Sequence, residues 1–178
     1  MYQTLRQIIR VGIVTEPTPA PAPEGVVVRR LQNDILRTLG RALTIRHVDA
    51  GSCNACELET QALSNPYYNL EGLGIRHVAS PRHADALMVT GPISKHMAIA
   101  LRRTYDAMPE PKLVIAVGAC ACEGGIFGDS YATVGPLSKL LPVDVAIPGC
   151  PPSPTALLQG LLAAISPSTE KSRSTVAP

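Results

Sequence analysis

The stretch KLVIAVGACACEGGIFG, residues 112–128, decides the fold. Its first eight residues form a short apolar run of β-type, and glycine and cysteine follow at once. Four more runs share this character: LTIRHVDA (43–50), IRHVAS (75–80), ADALMVTG (84–91) and VDVAIPG (143–149). Several are apolar on both faces, as strands buried under two layers must be. Helical patterns lie between and after them, notably SKHMAIALRRTYDAM (94–108) and PTALLQGLLAAI (154–165). Short apolar strands alternating with helices predict a mostly parallel sheet in a flavodoxin-like three-layer α/β sandwich. Ligands of such sheets bind beyond the carboxyl ends of the strands, where strand order reverses.

The five cysteines fall where that rule puts a ligand. Cys53 and Cys56 follow the first strand-like run, Cys120 and Cys122 the fourth, and Cys150 the fifth. Segments far apart along the chain are thus expected to meet at one edge of the sheet. Three kinds of chemistry use a CxxC pair: a structural zinc site, a redox dithiol and a [4Fe-4S] cluster. The cluster reading accounts for most of the pattern. In GACACEGGIFG, Gly118, Gly124, Gly125 and Gly128 surround Cys120 and let backbone approach a bulky inorganic ligand. In IPGCPPSP, Cys150 sits between Gly149 and the stiff pair Pro151-Pro152. A zinc knuckle usually supplies its second pair at close spacing, whereas Cys120 and Cys150 stand on separate loops. A dithiol with Cys53 as nucleophile leaves Cys120 and Cys150 unexplained. Cys120 directly follows the strand end and is preferred as a ligand over Cys122, which reads as a small buried hydrophobe.

Composition frames this chemistry. At 178 residues the chain is long enough for one domain with a core. Hydrophobic residues make up 46% and aromatics 3% with no Trp, so Ala, Val, Ile and Leu must fill that core. The 17% of charged residues leaves apolar surface for a partner, and a net charge of +2 with scattered Lys and Arg argues against nucleic acid. No secretory signal, twin-arginine signal or run of roughly eighteen apolar residues stands out, which predicts a cytoplasmic chain with peripheral membrane contact at most. In a reducing compartment, metal or redox use of the thiols outranks disulfides. Residues 1–40 are expected to hold an amphipathic helix around Leu5, Ile8 and Ile9, the Pro-rich arm EPTPAPAPEG (16–25) and a second helix ending near Gly40. Residues 41–166 form the α/β domain, and 167–178 a disordered tail.

Four separated motifs, GSCNACELE, SPRHADALMVTGPISKHM, VIAVGACACEGGIFG and IPGCPPSP, resemble in order the small subunit of [NiFe] hydrogenases over about residues 40–165. The likeness is strongest to the energy-converting, membrane-associated class that includes formate hydrogenlyase. The chain is also similar to the small cluster-carrying subunit of respiratory complex I, which has two adjacent cysteines where this chain has Cys53-Asn54-Ala55-Cys56. That difference favours the hydrogenase type. The resemblance implies one proximal [4Fe-4S] cluster on Cys53, Cys56, Cys120 and Cys150. It further implies a large partner subunit with a nickel-iron centre, a ferredoxin-like iron-sulfur subunit, and integral membrane subunits that hold the complex on the cytoplasmic face. A complex I-like quinone oxidoreductase with a nickel-free large partner is the second reading, and a zinc-stabilised interaction module the third.

Further residues carry weaker signals. Glu57, beside Cys56, suits contact with the partner or proton movement, but an acid at a helix start is ordinarily just favourable with the dipole. The resemblance places Arg82 and His83, in SPRHAD, near the cluster and the large-subunit interface, where either could tune the potential. His47 and His77 lie in strand-like runs and read as packed or surface residues. No role is assigned to Glu123.

Overall fold

The computed structural model describes residues 33–35, 37 and 39–165. Seven strands run β1 (Leu43–Asp49), β2 (Ile75–His77), β3 (Ala86–Thr90), β4 (Ile93–Ser94), β5 (Leu113–Val117), β6 (Thr133–Gly135) and β7 (Val145–Ile147). Five of them form one sheet in the order β2-β1-β3-β5-β7. All four pairings are parallel, so the carboxyl ends of all five strands point the same way. Counting only those strands, the order is 2-1-3-4-5, that of the flavodoxin-like fold, with the switch point between β1 and β3. The expected runs are thus all strands, each trimmed at one end or at both.

Alternation along the strands builds two cores. Leu43, Ile45, Ala86, Met88, Ile115, Val117 and Ile147 face one side and pack under α4 (Pro154–Ile165) through Leu157, Leu158, Leu161 and Ile165. Leu87, Val89, Val114 and Ala116 face the other, where Leu101 of α2 (Lys95–Asp106) and Leu137 cover them. Both clusters are aliphatic, and period-two alternation sends successive residues of β3 into opposite cores. The remaining helices, α1 (Ala55–Ala62) and α3 (Gly118–Glu123), start just beyond the carboxyl ends of β1 and β5. The described part of the second expected N-terminal helix, residues 33–35, 37 and 39, is helical, and Ile35 is buried in the first core. The amphipathic helix near Leu5, the Pro-rich arm and the tail from 167 lie outside the described residues.

One feature the sequence does not announce is an antiparallel ribbon of β4 and β6, closed by the Lys95 amide donating to the Ala132 carbonyl. Its strands are two and three residues long, too short for alternation to register. No helix among the described residues is long and apolar enough to cross a membrane.

Candidate cluster site at the carboxyl edge

Three loops form the site. After β1, the Asp49 carboxylate accepts hydrogen bonds from the Gly51 and Ser52 amides, both at 2.8 Å, and Ser52 Oγ accepts from the Asn54 amide at 3.1 Å. Burial pushes the Asp49 carboxyl up, but the Ser52 and Gly51 bonds outweigh it and hold it below its ordinary value. Asn54 then turns the chain with φ 73°, a left-handed conformation that Asn tolerates better than most residues, and α1 begins. This sharp turn puts Cys53 before the helix and Cys56 in its first turn.

The β5 and β7 loops meet this one. The Ala119 amide, at the start of α3, donates to the Gly149 carbonyl at 2.7 Å, which ties the Cys120 loop to the Cys150 loop. Gly118, with φ 87°, lies against α1 so closely that an added Cβ would sit 2.6 Å from Cys56 Sγ. At Gly125, with φ 57°, a Cβ would sit 2.7 Å from Cys120 Sγ. Both glycines are therefore required twice, by backbone conformation and by the space the thiols need.

The thiols form one electrostatic set. Burial pushes the Cys56 thiol up to about 11, with the charges of Glu57, Cys53, Cys120 and Cys150 adding to the shift. Cys120 is raised by burial and then by Cys150 and Cys53. Four thiolates at one edge repel one another, so a cationic inorganic centre is what lets them ionise together. Cys53 and Cys150 are exposed, and Cys56 and Cys120 half-buried, so the group they suit lies at the surface where a partner can approach. Ile126 and Phe127, on the loop after Cys120 and α3, and Leu58, next to Glu57 on α1, are exposed apolar side chains. Among the described residues no three His, Cys, Asp or Glu side chains converge closely enough to hold a single metal ion.

Cys122 stands apart. Its thiol donates to the Ala116 carbonyl at 3.6 Å and packs against the second core. It contributes no charge effect to Cys56 or Cys120.

Other expected residues are placed less uniformly. Glu57 is only 5% exposed, and neither carboxylate oxygen has a hydrogen-bond partner among the described residues. A simple dipole role at an exposed helix start is therefore not what its position gives. Arg82 and His83 are exposed in a short turn, Pro81–His83, that leads into β3. That strand begins opposite Ile45, whereas the cysteine loop leaves β1 after Asp49, and neither side chain is among the charges acting on Cys56 or Cys120. The structure also joins residues that the sequence pattern keeps separate. His47 and His77 line one pocket of about 350 Å³ with Arg46, Thr60 and Gln61. His47 Nε2 lies 3.0 Å from Thr90 Oγ1, at the very end of β3. No sequence signal marks that pair, since strand register alone brings it together. Asn54 and Asp49 are legible in principle, as an Asp two residues before a Gly and an Asn between cysteines are turn formers.

A parallel sheet in 2-1-3-4-5 order with a cysteine-rich carboxyl edge defines a flavodoxin-like α/β domain. The chain belongs to the family described as NADH ubiquinone oxidoreductase, 20 Kd subunit, which matches residues 53–164. Among its relatives is the probable membrane-bound hydrogenase subunit mbhJ of Pyrococcus furiosus, 44% identical over 131 residues that cover 74% of this chain and 78% of that one. Formate hydrogenlyase subunit 7 of Escherichia coli is 40% identical over 83% of this chain, which spans 58% of that protein's length. An NADH-quinone oxidoreductase subunit of Desulfovibrio desulfuricans is 47% identical, with 69% of this chain and 66% of the relative covered. A chain in the membrane-bound sulfane sulfur reductase, an archaeal respiratory membrane complex, superposes with a TM-score of 0.61 at 34% identity, covering 74% of this chain and 71% of the other. The motif resemblance read from the sequence is borne out, on both its hydrogenase and its complex I sides.

Proposed function

We propose that the chain is the electron-transfer small subunit of a membrane-associated, energy-converting [NiFe] hydrogenase complex, with one [4Fe-4S] cluster on Cys53, Cys56, Cys120 and Cys150. The observation that carries the reading is the gathering of four mutually repelling thiols from three loops around Gly118 and Gly125, which leave the thiols room. When bound, such a cluster supplies one-electron transfer at a potential set by its surroundings. The chain's own residues do the rest. Asp49 and Asn54 fix the approach of the Cys53 loop, and the bond from Ala119 to Gly149 keeps Cys120 and Cys150 in fixed relation. A dithiol of Cys53 and Cys56 alone leaves Cys120 and Cys150, which act on Cys56 from the other two loops, without a role.

The partners in this reading are a large subunit with a nickel-iron centre, a ferredoxin-like iron-sulfur subunit and integral membrane subunits, with the chain peripheral on the cytoplasmic face. Exposed Ile126, Phe127 and Leu58 beside the cysteines suit burial against the large subunit. Arg82 and His83, exposed away from the thiols, suit contact with a partner better than direct contact with the cluster. A quinone-reducing assembly with a nickel-free large partner is the second reading, favoured by the 47% identity with an NADH-quinone oxidoreductase subunit. The CxxC spacing supports the hydrogenase.

The test is iron, acid-labile sulfide and zinc analysis of the purified chain, with nickel analysis and hydrogen evolution from a reduced dye on the purified complex. Four irons and four sulfides per chain, with nickel in the large subunit and hydrogen evolved, are expected. Stoichiometric zinc without sulfide overturns the cluster. A nickel-free complex that reduces quinone selects the second reading.

A further inference from the structure

The three cysteine loops are not tied to the fold in the same way. The Ala119 amide joins the Cys120 loop to the Cys150 loop directly, by its bond to the Gly149 carbonyl. The Cys53 loop is hydrogen-bonded to the segment that follows β3, a part of the chain without a cysteine. There the Ala50 amide donates to the Thr90 carbonyl at 3.0 Å, and the Ser94 amide donates to the Ala50 carbonyl at 2.9 Å. The two backbones also touch. At Gly91, with φ 78°, an added Cβ would sit 2.6 Å from the Ser52 amide nitrogen, and at Gly51, with φ 120°, 3.2 Å from Ser94 Cβ. The residue next to Cys53 is thus seated on the chain just past β3.

That segment leads into one strand of the β4–β6 ribbon, and the other strand leads back to Cys120. Ser94 pairs with Thr133 and Ile93 with Gly135, and the Lys95 amide closes the ribbon on the Ala132 carbonyl at 2.8 Å. From β6, Thr133 Oγ1 donates to the Gly128 carbonyl at 2.8 Å. The Gly128 amide donates to the Gly124 carbonyl at 3.0 Å, and the Gly124 amide to the Cys120 carbonyl at 2.9 Å. Gly124 also packs on the end of β6, where a Cβ would sit 3.6 Å from Gly135 Cα. A two-stranded ribbon of this length is marginal by itself. This one is anchored at a cysteine loop on each side.

We infer that the ribbon is a positioning device for the candidate site: it fixes how far the Cys53–Cys56 turn stands from Cys120. Ligands drawn from separate loops hold one inorganic group without distortion only if the structure behind them keeps their separations fixed. With Cys120 and Cys150 already linked, the gap to the Cys53 loop is the separation that the ribbon sets. Lys95 through its backbone amide and Gly91 through its missing side chain are the positioning residues, and neither is a ligand. What the thiols hold rests on the cluster reading above, whereas the tie belongs to the chain.

Lys95 permits a selective cut. It opens α2, where proline is tolerated because a first-turn amide has no intrahelical acceptor, and Ser94 before it is extended, with ψ 147°, as a residue preceding proline prefers. Lys95→Pro therefore removes the amide that closes the ribbon and keeps the helix, while Lys95→Gln removes the charge and keeps the amide. Gly91→Ala drives a methyl into the Ser52 backbone. Gly40→Ala, at φ 63° with nothing within 4 Å, imposes left-handed strain without a contact.

The test compares these four variants as purified full-length chains by amide hydrogen exchange, iron content and the EPR signal of the reduced cluster. In Lys95→Pro, exchange at residues 50–54 and at Ser94 should quicken by a few-fold to about tenfold, as the loss of one hydrogen bond implies. Its EPR line shape and midpoint potential should shift, and Lys95→Gln should match the wild type. Gly91→Ala should displace the signal further and lower the iron content, whereas Gly40→Ala should lower only the unfolding midpoint. Exchange in Lys95→Pro equal to that in Lys95→Gln overturns the tie. An EPR signal unchanged in Lys95→Pro overturns the positioning role, as does a signal in Gly40→Ala displaced as far as that in Gly91→Ala. Should a variant of one pair fail to fold, the other pair decides. A wild-type chain without iron and sulfide, with the exchange difference intact, would overturn the cluster reading while upholding the tie.

Discussion

The two ends of the sheet are finished in opposite ways. At the amino end, aspartates close the strands. The Asp85 carboxylate accepts from the Thr44 amide at 3.0 Å, from Thr44 Oγ1 at 2.7 Å and from Arg41. Asp144 Oδ2 accepts from the Val114 amide at 2.9 Å while its own amide returns a bond to the Val114 carbonyl. Backbone groups that begin the strands are thereby satisfied within the chain. At the carboxyl end, Asp49 organises one loop, and beyond it the edge presents thiols, left-handed glycines and exposed Ile126 and Phe127. The lesson is a division of labour. One end is closed by its own side chains, whereas the other keeps free thiols and exposed apolar side chains for the cluster and the partner proposed above.

Changes at the two ends should therefore separate cleanly. The largest effect is expected from Cys150→Ala or Cys53→Ala, each of which removes an exposed thiol of the proposed ligand set. The cluster EPR signal and hydrogenase activity should vanish while the circular dichroism of the domain is retained. An unchanged signal in either variant would remove that residue from the ligand set. Next comes Gly118→Ala. It places a methyl 2.6 Å from Cys56 Sγ and forces a side chain into left-handed backbone, which alone costs roughly 1–2 kcal/mol. Iron content per chain should drop by half or more. Full occupancy would mean that α1 moves aside freely and that the fit around Cys56 is loose.

How much of this division the sequence discloses differs between the ends as well. Strands such as LMV within β3 are apolar on both faces because both are covered, so the sheet and its direction follow from composition and helix alternation. The three cysteine loops are legible for the same reason, since each follows a strand end. What stays hidden depends on register. Nothing in RHVDA shows that His47 meets Thr90, or that β2 stops early enough to open a pocket. Glu57 looks like an ordinary first-turn acid, and only the packing of α1 over the sheet buries it. The long-range Arg41, Thr44 and Asp85 cluster spans 44 positions and has no local pattern at all.

That cluster supplies the converse test. Asp85→Ala leaves the Thr44 amide and hydroxyl without their acceptor in a partly buried place, a loss on the order of 1–3 kcal/mol. Denaturant unfolding should report it as a lower midpoint with an unchanged slope. The midpoint potential of the cluster should not move. A shifted potential would show that the amino end is not insulated from the site.

The smallest effect is expected at Cys122. It shares α3 with Cys120, so a wrong choice between the two is the error that the sequence most readily permits. The structure separates them by direction: Cys122 packs on the second core and bonds the Ala116 carbonyl of β5, whereas Cys120 joins the thiols of the other two loops. Burial raises the Cys122 thiol, so at neutral pH it stays protonated and acts as a weak donor on a small apolar body. Replacing it by Ala should cost on the order of 1 kcal/mol through the lost contacts, read as a fall of a few degrees in Tm. Iron content, EPR line shape and potential should match the wild type. Loss of the signal in Cys122→Ala, with retention in Cys120→Ala, would reverse the assignment and place the cluster on the core side of α3.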